Sequence, residues 1–204
     1  MKKDFGQLAT DKSIDRAKDA LEKNGISVLV VENGAEAKEK VLQMIPAGAE
    51  VMNMSSVTVD SIGLAKEINE PGKYNSVRNK FATMDAKTQG SEMKKLGAAP
   101  EWVIGSVHAV TENGKVVIAS KTGSQLPAYA YGSSHVIWIV GSQKIVKDLD
   151  EAMKRVYEYV LPLEGERAQK AYGMGSSVDK ILIFNKEATL ARITMIIVKE
   201  KLGF

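Results

Sequence analysis

Apolar residues recur along this chain at two alternating periods. Ile14, Ala17 and Leu21 share one helical face, and Asn24-Gly25 supplies the usual stop. Residues 26–31, ISVLVV, are a short strand-type run. Ala37, Val41, Met44 and Ile45 return to helical spacing ahead of Pro46, and 49–54, AEVMNM, read as the next strand. Ser55 or Ser56 is placed to cap a helix carrying Ile62, Ala65 and Ile68. EPGK at 70–73 breaks the chain, and two helical stretches follow over 74–84 and 87–96.

The second half keeps the alternation. Strands are expected at 102–110 and 115–119, joined by Glu112-Asn113-Gly114, a tight-turn sequence, and again at 135–140, 179–184 and 192–198. A helix or turn begins near Pro127. The strongest helix covers 148–161, where Leu149, Ala152, Met153, Val156 and Val160 form one stripe and Asp148, Asp150 and Glu151 favour its N-terminus. Near-continuous Val/Ile strands between amphipathic helices predict an α/β fold with a mostly parallel sheet and helices on both faces. The hairpin and the two C-terminal strands add some antiparallel pairing. No linker or repeat divides the chain, so one domain over residues 1–204 is expected.

Composition narrows the function. A net charge of +3, with both signs interspersed, leaves no basic stripe for nucleic acid. The absence of cysteine excludes disulfides, a catalytic thiol and a cysteine-held iron–sulfur cluster on this chain. His108 and His135 are the only histidines, too few for a histidine-rich zinc site, so neither a metal nor another cofactor is expected. No secretory h-region and no run of membrane-spanning length is present, and the expectation is a soluble cytoplasmic protein.

Three segments carry candidate chemistry. Ser55, Ser56 and Thr58 follow a strand and open a helix, where hydroxyls and free N–H groups either hold an anion or simply cap. Lys121, Thr122, Gly123, Ser124 and Gln125 follow the returning hairpin strand and suit backbone amides closing around an anion, with a plain connection as the alternative. Glu112, beside Asn113 at the hairpin tip, is the candidate catalytic carboxylate, as base or nucleophile, against the alternative of a solvated turn acid. The hairpin reverses between Val110 and Lys115, so Glu112 and the Lys121 loop are expected at opposite ends of it. The pairing expected is therefore Ser55–Thr58 with Lys121–Gln125. Residues 173–178, GMGSSV, lack the third glycine and precede a strand, which rules out a dinucleotide fingerprint.

The runs VIGSVHAVTENGKVVIA, TGSQLP, HVIWIVGSQKIV and RITMIIVKEKLGF, with MNMSSVTVDSIGL upstream, resemble the lactate-utilisation (LUD) domain family over nearly the whole chain. Glu112, Gly114, Ser55, Ser56 and Thr58 match its typical positions; Thr111, Asn113 and Met54 depart from it, as does the segment Glu164-Gly165-Glu166-Arg167. The resemblance implies a Rossmann-like three-layer sandwich of the CoA transferase and ribose-5-phosphate isomerase fold group. It also implies an accessory or ligand-binding role in L-lactate or related organic-acid use, alongside iron–sulfur subunits that carry the electrons. The alternatives are a stand-alone isomerase, transferase or hydrolase acting on a small anionic metabolite such as a sugar phosphate or acyl-CoA, or a metabolite sensor. A homo-oligomer is compatible with each.

Overall fold

Among the described residues, ten strands are shared between two sheets. The structure, a computed structural model, describes residues 4–204. In chain order the strands are β1 (Ser27–Val31), β2 (Glu50–Asn53), β3 (Asn75–Ser76), β4 (Trp102–Gly105) and β5 (Ala109–Thr111). They continue with β6 (Val116–Ser120), β7 (His135–Gly141), β8 (Ile145–Val146), β9 (Lys180–Phe184) and β10 (Ile193–Val198). The central sheet, ordered β1-β10-β7-β4-β2-β3, is parallel throughout. The second sheet, ordered β8-β5-β6-β9, joins β5 to β6 and β6 to β9 antiparallel, and β5 to β8 parallel.

Period-two alternation explains the layers. Val136, Trp138 and Val140 point to one face of the central sheet, where they meet Val110, Val116, Ile118 and Phe184 of the second sheet and Ile14, Ala17 and Leu21 of α1 (Asp11–Lys23). Ile137 and Ile139 point to the other face, packed with Ala37 and Val41 of α2 (Gly34–Met44). The outer face of the second sheet, Ala109, Val117 and Ala119, is covered by Ala152 and Val156. The result is a Rossmann-like α/β sandwich with an added mixed sheet on one side.

Four expectations need correction. The run 102–110 is not one strand: β4 ends at Gly105 and the chain crosses to the second sheet at Ala109. Ser106 turns its hydroxyl onto the Ile139 carbonyl at 2.6 Å, and a Cβ at Gly105 would run into the Tyr129 hydroxyl. The C-terminal strands do not pair with each other: β9 joins β6, while β10 inserts between β1 and β7. Between them Arg192, buried with Glu187, donates to the Tyr129 and Ser133 carbonyls and holds the crossing loop. The helix expected at 148–161 runs on, as α7 (Leu149–Arg155), a π-helical stretch Val156–Val160 and α8 (Leu161–Tyr172). The widened turn lies just ahead of Pro162, whose missing N–H cannot complete a regular one. The helix after Ser56 is split into α3 (Val57–Ser61) and α4 (Leu64–Ile68) at Gly63, whose φ of 69° suits glycine. Helices α5 (Val77–Ala82) and α6 (Ala86–Ala98) complete the chain.

Candidate functional site

The carboxyl ends of β2, β4 and β7 converge on one rim, where open α/β sheets bind ligands. A cleft of about 700 Å³ lies there, with Asn53–Thr58 after β2, Ser106–His108 after β4 and Lys144 after β7. Residues 119–122 at the end of β6, the inner side of α8 and residues 174–178 close its far side.

Lys144 is the centre of this rim. Its side chain is buried, and Nζ donates to Thr58 Oγ1 at 3.0 Å, Ser106 Oγ at 3.0 Å and the Val107 carbonyl at 3.2 Å. The Thr58 hydroxyl spends its own proton on the Leu202 carbonyl, and that of Ser106 on the Ile139 carbonyl. Both therefore present lone pairs to Lys144. Three acceptors match the three N–H bonds of an ammonium, and none of them is a carboxylate. Burial, with Arg155 adding repulsion, pushes the Lys144 pKa down to about 7.

Arg155 stands behind it. It is fully buried; Nη1 donates to the His108 carbonyl at 2.5 Å, and Nη2 has no hydrogen-bond partner among the described residues. His108 Nδ1 accepts the Ala119 N–H at 3.1 Å, which leaves the ring proton on Nε2. Burial first, then Lys144 and Arg155, push its pKa down to about 3, so the ring is neutral. Arg78 reaches in from α5, with Nε donating to the Asn53 carbonyl and Nη2 to Ser55 Oγ, both at 2.9 Å. Its acceptors too are neutral. Glu164 is engaged by Arg167 through two bonds of 2.7 Å. Among the described side chains that line the cleft, Arg78, Lys121 and Lys144 then face one carboxylate not engaged by an arginine, Asp60.

The cleft brings together Ser55, Ser56, Thr58, Lys121, Thr122, Ser124 and Gln125. Ser56 caps α3 by accepting the Val59 N–H at 3.4 Å, and Ser55 and Thr58 position Arg78 and Lys144. The Gly123 N–H is spent on Ser120 Oγ at 2.9 Å, and Gln125 bonds the Ser120 hydroxyl and the Ala119 carbonyl, so part of this loop's donor set closes on itself. Lys121 Nζ donates to the Gly175 carbonyl at 3.0 Å. Glu112 and Asn113 do not line the cleft. Glu112 accepts both bonds of the Arg16 fork, at 2.8 and 2.7 Å, and Asn113 accepts the Thr111 hydroxyl at 2.5 Å. Among the described residues no group of His, Cys, Asp and Glu is arranged to hold a metal ion, and no helix is long and apolar enough to cross a membrane.

Sequence reading missed Lys144, Arg78, Asn53 and Arg155. Lys144 carries a signal in retrospect: it is a cation within HVIWIVGSQKIV, whose residues Val136 to Val146 are all buried, Lys144 among them. Arg78 sits in an ordinary polar helix start and carries none.

Fold and rim together define an α/β protein with a cation-lined cleft at the carboxyl edge of a parallel sheet. The LUD domain model matches residues 14–203, and the chain belongs to the LUD domain family. Among solved structures, a DUF162 family protein from Deinococcus radiodurans aligns over 94% of this chain and 99% of its own, at 11% identity and a TM-score of 0.58, which shows a common fold. The eIF2B beta structure from Chaetomium thermophilum aligns over 69% of this chain and 46% of its own, at 16% identity and a TM-score of 0.36. No match was found among curated proteins.

Proposed function

We propose that this chain binds a small anionic metabolite in the rim cleft, as a cytoplasmic component of L-lactate or related organic-acid utilisation. In that role iron–sulfur partner subunits carry the electrons, since a chain without cysteine has no thiolates to hold a cluster. The observation that carries the reading is Lys144, a buried cation whose three acceptors are all neutral. A charge held that way is compensated when an anion enters beside it. Arg78, held by the Asn53 carbonyl and Ser55, supplies a pre-oriented fork for a carboxylate or phosphate.

A second reading, a stand-alone enzyme on such a metabolite, draws on the Lys144 pKa of about 7, which lets that amine exchange a proton near neutral pH. In this cleft that chemistry would run on Lys144 and not on Glu112.

A thermal-shift panel of short carboxylates, phosphate and sugar phosphates tests the binding. A ligand at a hundred times its dissociation constant stabilises by about 2.7 kcal/mol, and Arg78→Ala should remove the shift. A panel with no anion-dependent shift contradicts the proposal.

A further inference from the structure

The cleft is larger and less polar than a short hydroxy acid requires. Its volume of about 700 Å³ falls among pockets that enclose ligands of drug size, about 300–1,000 Å³. Arg78 and Lys144 line it with cations whose hydrogen-bond acceptors are neutral, whereas Arg167 is neutralised by Glu164. Leu161 gives it apolar surface, with Val160 and Ala168 buried beneath. Tyr172 and Met174 also line it, yet they are 63% and 59% exposed.

These two side chains are held in place. The Arg167 guanidinium, fixed by Glu164, sits 5.6 Å from the centre of the Tyr172 ring. The segment after Tyr172 is tied to the rim by Lys121, through the Gly175 carbonyl at 3.0 Å and Met174 Sδ at 3.9 Å. Tyr172 and Arg78 line the same cleft, so one ligand can touch both. Exposed aromatic and thioether groups fixed at the mouth of a pocket suit a flat ring laid against them.

We infer that the ligand has two parts: an anionic head at Arg78 and Lys144, and a planar aromatic body against Tyr172, Met174 and the α8 wall. The class is a phosphorylated ring compound of mononucleotide size. This rests on the anion-binding reading above and specifies its ligand.

Calorimetric titrations with AMP, flavin mononucleotide and pyridoxal phosphate, against inorganic phosphate and L-lactate, test it. At least one ring-bearing phosphate should bind tenfold or more tighter than phosphate, about 1.4 kcal/mol. Tyr172→Ala should reduce that compound to the affinity of phosphate and leave phosphate itself unchanged. If phosphate or lactate binds as tightly as the best ring compound, or if Tyr172→Ala changes nothing, the inference falls. The anion site then stands where Arg78→Ala still abolishes phosphate binding. If none of the five probes binds, both readings fall.

Discussion

Lys144 Nζ lies 3.0 Å from Thr58 Oγ1, which itself donates to the Leu202 carbonyl at 3.1 Å. This short chain ties the segment after β7 to the start of α3 and to the residues beyond β10. With Ser106 and Val107 added after β4, the ends of several strands meet on one buried ammonium. The same contacts that organise the rim leave that amine's charge, whenever it is protonated, without a carboxylate to balance it.

His108 makes the protein acid-sensitive. Its folded pKa of about 3 lies below the ordinary 6.5, so the unfolded chain takes up the proton first as pH falls. Stability should therefore drop between about pH 6.5 and 3, with a slope from this group approaching 1.4 kcal/mol per pH unit. In His108→Asn a side-chain oxygen can take over the Ala119 N–H without titrating. Urea unfolding across that window should give a flatter pH dependence for the variant; parallel curves would contradict the buried neutral ring.

Glu112→Gln should leave anion affinity unchanged. The substitution loses an ion pair with a half-exposed Arg16 at the hairpin tip, away from the cleft lining. Little effect on the melting temperature is expected from such a contact. Weakened binding in a titration would place the hairpin tip at the ligand after all.

Arg192→Met should destabilise strongly. Arg192 and Glu187 are only 8% and 9% exposed and lie 2.6 Å apart. Removing the cation leaves a buried carboxylate unpaired and three carbonyl contacts unmade, a loss of about 3–5 kcal/mol. The urea midpoint measures it, and a change near zero would show that the crossing loop is held by other contacts.

Much of this architecture was legible because buried parallel strands cannot hide their composition. Residues 135–140 and 192–198 read as strands from Val/Ile runs alone, and both lie in the middle of the central sheet. The break at Ser106 was not legible, since residues 102–110 remain apolar on both sides of the crossing. Strands β3 and β8, two residues each, are too short to show a period. In the cleft, Ser55, Thr58 and Lys121 were legible as candidates because hydroxyls and cations after strands stand out. Lys144 and Arg78 act through residues distant in sequence, which spacing does not reveal.

Proton uptake on anion binding tests the central claim most directly. Sulfate and pyruvate do not titrate near neutral pH, so any proton exchanged belongs to the protein. Lys144, with a pKa of about 7 in the empty cleft, is largely neutral at about pH 8 and becomes charged when an anion settles beside it. Calorimetry in two buffers of different ionisation heat should give an uptake approaching one proton per anion at about pH 8 and close to none at about pH 6. Lys144→Met should abolish both the uptake and most of the affinity. Binding without proton uptake, or Lys144→Met binding sulfate and pyruvate as tightly as the unaltered chain, would contradict the account.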